Sequence, residues 1–197
     1  MNFNKQKFLS FYTNQPNYAN AEKAWDSIEK AYSEILSVCP CCKQPLTNFE
    51  ISPLLMAATL GTVRTEIGRS YNPSIKEYIT PEKAEKNYGG RKDLGNDIPG
   101  DGARFVGRGP SQLTGKYNYL KYGNLMGVDL ITNPDLLLTP EYGFKAICLF
   151  FKENGLIPLA EQSNWYEIRK RYNGINRLTG KPNGLDEFLM VIKQFLK

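Results

Sequence analysis

Gly107-Arg108-Gly109-Pro110-Ser111-Gln112-Leu113-Thr114-Gly115 closes the most glycine-dense region of a 197-residue chain. Eight of the 17 glycines fall in this middle region: Gly89, Gly90, Gly95, Gly100, Gly102, Gly107, Gly109 and Gly115, with Pro99 and Pro110 among them. Such density means a tightly turning, irregular backbone, the kind that domains reserve for sites. Within it only Ala103 to Val106 reads as a brief strand. The stretch from about residue 89 to 115 is therefore expected to be a structured central loop region.

Outward from that loop the apolar spacing is helical. Phe8, Leu9 and Tyr12 predict a short first helix. Ala21, Ala24, Trp25, Ile28, Ala31, Tyr32 and Ile35 predict a second, with Asn20 as its N-cap. Ser52 caps a helix that opens on Pro53, shows Met56, Leu60 and Val63 on one face, and stops at Gly68. Thr80-Pro81 opens a surface helix, and Gly115 another, for which Thr114 is a plain N-cap candidate. Thr139-Pro140 begins a helix that runs to Gly155. Two more follow, from Ser163 to about Tyr172, and through Leu185, Phe188, Leu189, Ile192 and Phe195. The expected fold is mainly α, in one catalytic domain over residues 1–197, without internal repeats.

Composition narrows the chemistry. The chain is 41% apolar and 23% charged, as packed folds are. The longest apolar stretch, Ala146 to Phe151, is far too short to span a membrane. No secretory signal follows Met1-Asn2-Phe3-Asn4-Lys5, so the chain is expected to be made in the cytoplasm. Histidine is absent altogether, which excludes Ser-His-Asp and Cys-His catalysis and every zinc site with a His ligand. The net charge of +5 suits an acidic partner such as nucleic acid, a membrane surface or an anionic wall. Its longest basic run, Arg169-Lys170-Arg171, reads as a solvated helix face. Cys39, Cys41 and Cys42 cluster in a turn-like segment and Cys148 lies alone in an apolar helix. Reduced thiols are the default there, ahead of a local disulfide and of a metal site, and no bound zinc is expected.

Without histidine, carboxylates come first. Glu66 lies in the last turn of the Ser52-Pro53 helix, where the helix dipole and apolar neighbours disfavour the charged form, as a general acid requires. On position alone, pairing with Arg64, Arg69 or another surface cation is the default. Glu77 follows 11 residues later, after a proline turn. Two carboxylates of unlike environment are what glycoside hydrolysis uses, though an exposed Glu beside Lys76 is the simpler reading of Glu77. Gln112, Thr114, Asn118 and two tyrosines after the glycine turn are neutral hydrogen-bonding and stacking groups suited to a sugar. Asn173-Gly174 by itself reads as a helix C-cap.

Gly107 to Thr114, preceded by Phe105 and followed by Tyr117-Asn118-Tyr119, resembles the core motif of family 19 glycoside hydrolases, the chitinases and related endolysins. Arg91-Lys92-Asp93-Leu94-Gly95-Asn96 and Pro99-Gly100-Asp101-Gly102 are similar to the endolysin branch. The resemblance covers roughly Leu54 to Phe188. It implies a two-lobed, lysozyme-like helical domain with a substrate cleft between lobes. It also implies hydrolysis of a β-1,4 bond beside N-acetylglucosamine with inversion, and no metal or organic cofactor. Glu66 matches the general acid, with Thr65 where the family usually has His. Glu77 matches the general base, with Glu82 and Glu85 as fallbacks, and Thr114 the hydroxyl that holds the attacking water. Arg108, Gln112, Tyr117, Asn118 and Asn173 match residues of the sugar cleft. In Asn173-Gly174-Ile175 the family's second glycine is replaced, and Arg177 to Pro182 reads as an insertion before Asn183-Gly184.

The expected substrate is peptidoglycan, cleaved by a monomer that reaches the wall after release or injection, without membrane insertion or nucleic-acid binding. Chitin is the alternative. An inactive glycan-binding module and a basic nucleic-acid-binding protein are the readings from other classes.

Overall fold

The computed structural model describes residues 3–38, 41, 44 and 50–197. Ten α-helices among them carry the fold: α1 (Lys5–Ser10), α2 (Tyr18–Leu36), α3 (Pro53–Ile67), α4 (Pro81–Tyr88), α5 (Asp101–Arg104), α6 (Lys116–Met126), α7 (Pro140–Glu153), α8 (Leu156–Glu161), α9 (Trp165–Asn173) and α10 (Leu185–Leu196). Among the described residues β-structure is confined to isolated bridge residues, and the bridges include Lys76 with Arg108, Arg108 with Leu113 and Ile175 with Pro182. The mainly helical expectation holds. The chain divides into two compact units, one running up to Tyr71 and again over Phe150–Lys197, the other Asn72–Leu149.

In the first unit α3 is the central element, and local signals fix both its ends. Ser52 Oγ accepts from Leu55 N at 3.1 Å, Pro53 fills the first turn, and Gly68 at φ 72° stops the helix. The expected one-sided face is too modest. Every residue from Leu55 to Val63 is buried, Thr59 and Thr62 included, so this part of α3 is buried all round, as a core helix is. Burying Leu55, Met56, Leu60 and Val63 contributes about 1.5–3 kcal/mol each. Gly61 lets α10 approach: a Cβ there would lie 3.0 Å from Ile192 Cδ1 and 3.2 Å from Phe188. Phe3, Phe8, Tyr12, Trp25, Tyr71 and Phe195 form an aromatic cluster beside it, with Phe3 and Phe195 stacked at 5.1 Å. Helix α2 starts at Tyr18 with Asn17 at the N-cap, ahead of the expected Asn20, because its first buried residue, Ala21, comes a turn after the start.

In the second unit residues 72–80 run extended, with Ile75, Glu77 and Ile79 less exposed than Ser74, Lys76 and Tyr78, the alternation of a strand. Helix α4 begins as expected, with Thr80 Oγ1 accepting from Lys83 N. The brief strand expected at Ala103–Val106 is instead the end of α5 and a buried loop. Glu85 of α4 explains this, since its two carboxylate oxygens accept from Gly100 N and Ala103 N at 3.0 Å and cap a helical turn there. The expected Thr114 cap is also replaced. Gly115 is the N-cap of α6 and Asn96 Oδ1 accepts from Lys116 N at 2.9 Å, while Thr114 Oγ1 donates to Gln112 O. Phe105, Val106, Leu113, Tyr119, Leu137, Phe144 and Ile147 fill the core.

Candidate active site

Glu66 is placed by the last turn of α3, and its partner is a third arginine. Arg64 donates to Tyr12 Oη and Arg69 to Phe11 O, whereas Nη2 of Arg169 lies 2.8 Å from Glu66 Oε1. Arg169 has no exposed surface, while the Glu66 side chain keeps 21% of its own. Asn173 Nδ2 approaches both carboxylate oxygens, at 3.4 and 3.5 Å. The basic run read as a solvated face is thus split. Arg169 turns inward over the rings of Tyr172 and Phe188, and Lys170 and Arg171 stay outside, paired with Glu167.

The loop after α9 completes this cluster. Gly174 caps the helix at φ 69°, so the C-cap reading holds, and Asn173 sits exposed beside Glu66. Asn183 donates from N to Gly174 O and from Nδ2 to Asn173 O, which closes the 174–183 loop on itself. Its carbonyl then accepts from Nε and Nη2 of Arg169, at 3.2 and 2.8 Å. Gly184 makes room: a Cβ at its φ of 67° would lie 2.9 Å from both Arg169 Nη2 and Thr65 Cγ2.

Glu77 belongs to the second unit and is bound to the glycine motif twice. Its backbone N donates to Gly107 O at 2.9 Å, and Gly107 N donates back to its Oε2 at 3.2 Å. The other oxygen, Oε1, accepts from the hydroxyl of Tyr88 at 2.8 Å. Glu77 is therefore no free surface carboxylate. The hydrogen bond to Glu77 is the main cause that raises the ionisation of Tyr88 above the usual tyrosine range. Glu85 is spent on capping α5 and Glu82 is exposed in the first turn of α4.

The remaining motif residues separate into surface and scaffold. Tyr117 exposes 62% of its surface on α6, and Gln112 is exposed at a φ of 48°. Gln112 Nε2 donates to Gly109 O at 2.9 Å, and Asn118 Nδ2 to Thr114 O at 2.8 Å. Both amides thus brace the turn they flank. Arg108 departs from the sugar-cleft expectation. It is 4% exposed, pairs with Asp135 at 2.7 Å, and gives Nη1 to Arg104 O and Tyr119 Oη, which makes it a strut of the loop.

Sequence reading missed Arg169, Tyr88 and Asn96. Arg169 carried a signal, since Trp165, Ile168 and Tyr172 place it in an apolar stripe. Tyr88 and Asn96 carried none. Cys39 and Cys42 lie outside the described residues; Cys41 is exposed and Cys148 buried. Among the described residues no group of three or more Cys, Asp or Glu could hold a metal ion.

A mainly helical chain with two separately braced glutamates and a Gly-Arg-Gly-Pro turn has the lysozyme-like helical fold. It superposes, over 98% of its length and 74% of the other chain, on chitinase C from Streptomyces griseus HUT6037 with a TM-score of 0.67 and 20% identity. Residues 76–158 match the family described as chitinase class I, which is glycoside hydrolase family 19. The resemblance read from the motif therefore holds over that stretch. Basic 30 kDa endochitinase of Solanum lycopersicum is 45% identical over 89 residues, 44% of this chain and 24% of that protein. Endochitinase 1 of Theobroma cacao is 51% identical over 51 residues, 25% of this chain and 16% of that protein. The match thus spans under a quarter of these relatives' length.

Proposed function

We propose that the chain is a family 19-type glycosidase that hydrolyses β-1,4 bonds beside N-acetylglucosamine in peptidoglycan, with inversion. Glu66 gives its proton to the leaving glycosidic oxygen as the bond to the anomeric carbon breaks. Glu77 takes a proton from the water whose oxygen forms the new bond to that carbon. Thr114 assists that water, and Gln112, Tyr117, Asn118 and Asn173 contact the sugars. The observation that carries this reading is the reciprocal bonding of Glu77 and Gly107, which ties a carboxylate to the matched motif.

The resemblance of residues 91–115 to the endolysin branch supports peptidoglycan, and the charge of +5 suits an anionic wall. On this reading the protein acts as a monomer on the wall after release or injection. The endochitinase names of the matched relatives favour chitin as a second reading. Purified peptidoglycan and colloidal chitin, digested side by side with Glu66→Gln as control, decide between them. Peptidoglycan is expected to be cut faster, most of all at low ionic strength, and Glu66→Gln to lose about 10²-fold or more. Proton NMR of fresh product is expected to show the α-anomer first; an initial β-anomer would remove Glu77 as the base. Rapid chitin cleavage with intact peptidoglycan would give the substrate to the second reading.

A further inference from the structure

We propose that Tyr88 is a positioning residue for Glu77, fixing the plane of its carboxylate, and that Asn96 holds Tyr88 in register. The proposal rests on the reading of Glu77 as the general base. The last torsion of a glutamate is intrinsically broad, so a carboxylate left to water samples many planes. Here one donor engages each oxygen, the Tyr88 hydroxyl on Oε1 at 2.8 Å and Gly107 N on Oε2 at 3.2 Å. Two donors on opposite ends stop that rotation. Each carboxylate oxygen offers about two acceptor sites, so the arrangement leaves room for a water on either one.

The phenol is itself held from behind. Asn96 is fully buried, and its side-chain amide spans two helices: Nδ2 donates to Tyr88 O and Oδ1 accepts from Lys116 N, both at 2.9 Å. Three residues before Tyr88, Glu85 ties the same helix to Gly100 and Ala103. The end of α4 is thus anchored toward α5 and α6, and the hydroxyl inherits that precision. Because Tyr88 is only half-buried, water would satisfy its hydroxyl wherever it pointed. Its placement on Glu77 is a specific use of the group. The bond to Glu77, with burial adding and Arg91 opposing, raises the ionisation of the phenol above the ordinary tyrosine range.

The test is Tyr88→Phe, which removes one oxygen and keeps the ring. With thermal stability and near-UV circular dichroism retained, kcat is expected to fall about tenfold or more and KM to stay within about twofold, the signature of an interaction that serves the reacting state. In a Glu77→Gln background the same substitution is expected to cost nothing further. A purely structural Tyr88 would lower the rate equally in both backgrounds. Independently of activity, the Tyr88 resonance in protein labelled with ¹³Cζ-tyrosine should titrate above the other exposed tyrosines and return among them in Glu77→Gln. Unchanged kcat in Tyr88→Phe, or equal losses in both backgrounds, overturns the proposal. A fully active Glu77→Gln overturns the underlying reading together with it, and that single variant tells the two failures apart.

Discussion

Arg169, a side chain with no exposed surface, places Nη2 2.8 Å from Oε1 of Glu66, which is 21% exposed. A cation at that depth survives only with partners, and Glu66 and the Asn183 carbonyl are the two that Nη2 shares. The buried Nη1 makes no hydrogen bond among the described residues, so the ion pair carries more of the load. The carboxylate at the end of α3, the proposed general acid, is therefore also part of the packing of the first unit.

Arg169→Met should consequently be a stability variant and an activity variant at once. Met removes the buried cation and leaves the Asn183 carbonyl and a partly exposed carboxylate without their donor, a loss of about 1–3 kcal/mol that urea unfolding should register. Arg169→Lys is expected to rescue little, because one ammonium replaces the planar fork that reaches both Glu66 and Asn183. Full stability in either variant would show that the pair is dispensable.

Gly184 and Gly180 form a matched pair. Both hold a φ of 67°, but a Cβ at Gly180 meets nothing within 4 Å whereas one at Gly184 lies 2.9 Å from Arg169 Nη2. Gly180→Ala should cost only the left-handed backbone strain, about 1–2 kcal/mol. Gly184→Ala should cost more and should also lower activity by displacing Arg169. Equal unfolding free energies for the two variants would refute the contact.

Asn96→Ala strips the Tyr88 carbonyl and the Lys116 amide of one shared partner. Leaving buried groups unsatisfied costs about 1–3 kcal/mol each, so thermal unfolding should shift clearly downward. Asn96→Asp keeps the acceptor for Lys116 N and loses the donor to Tyr88 O. An intermediate shift is the expected result.

Tyr119 sets an alkaline limit. Burial, opposed by the Arg108 charge, pushes its hydroxyl up to about 12, above the usual value of about 10 for a free tyrosine. A native pKa above the unfolded one means full stability below pH 10 or so, lost as the pH rises towards 12. Chemical denaturation across that window should show the decline, and Tyr119→Phe should flatten it. An unchanged slope would assign the decline to other groups.

The parts of this fold that sequence reading reached were those written locally. Ser52, Pro53 and Gly68 bound α3, and Thr80-Pro81 opens α4, because caps are set by residues one to three positions apart. The candidate site was half legible for the same reason. Glu66 is announced by its helix end, and the glycine motif by its own turn chemistry. Arg108 was misread because nothing nearby in sequence announces Asp135, 27 residues on, as its partner. The apolar stripe of α9 announces that Arg169 turns inward, but its partner Glu66 lies 103 residues away and Asn96 meets Lys116 across 20, and no local pattern names partners at that range. The Ala103–Val106 strand failed likewise, since the cap that bends it into a helix comes from Glu85.

That cap ties two segments into one folding event. A four-residue helix cannot nucleate alone in water, so α5 exists only while Glu85 supplies the acceptors for Gly100 N and Ala103 N. Protons on these two amides should accordingly leave for solvent at a rate set by the opening of α4, however close they lie to the surface. These two amides of the glycine-rich region, irregular by every local criterion, would then exchange as slowly as the helix that holds them.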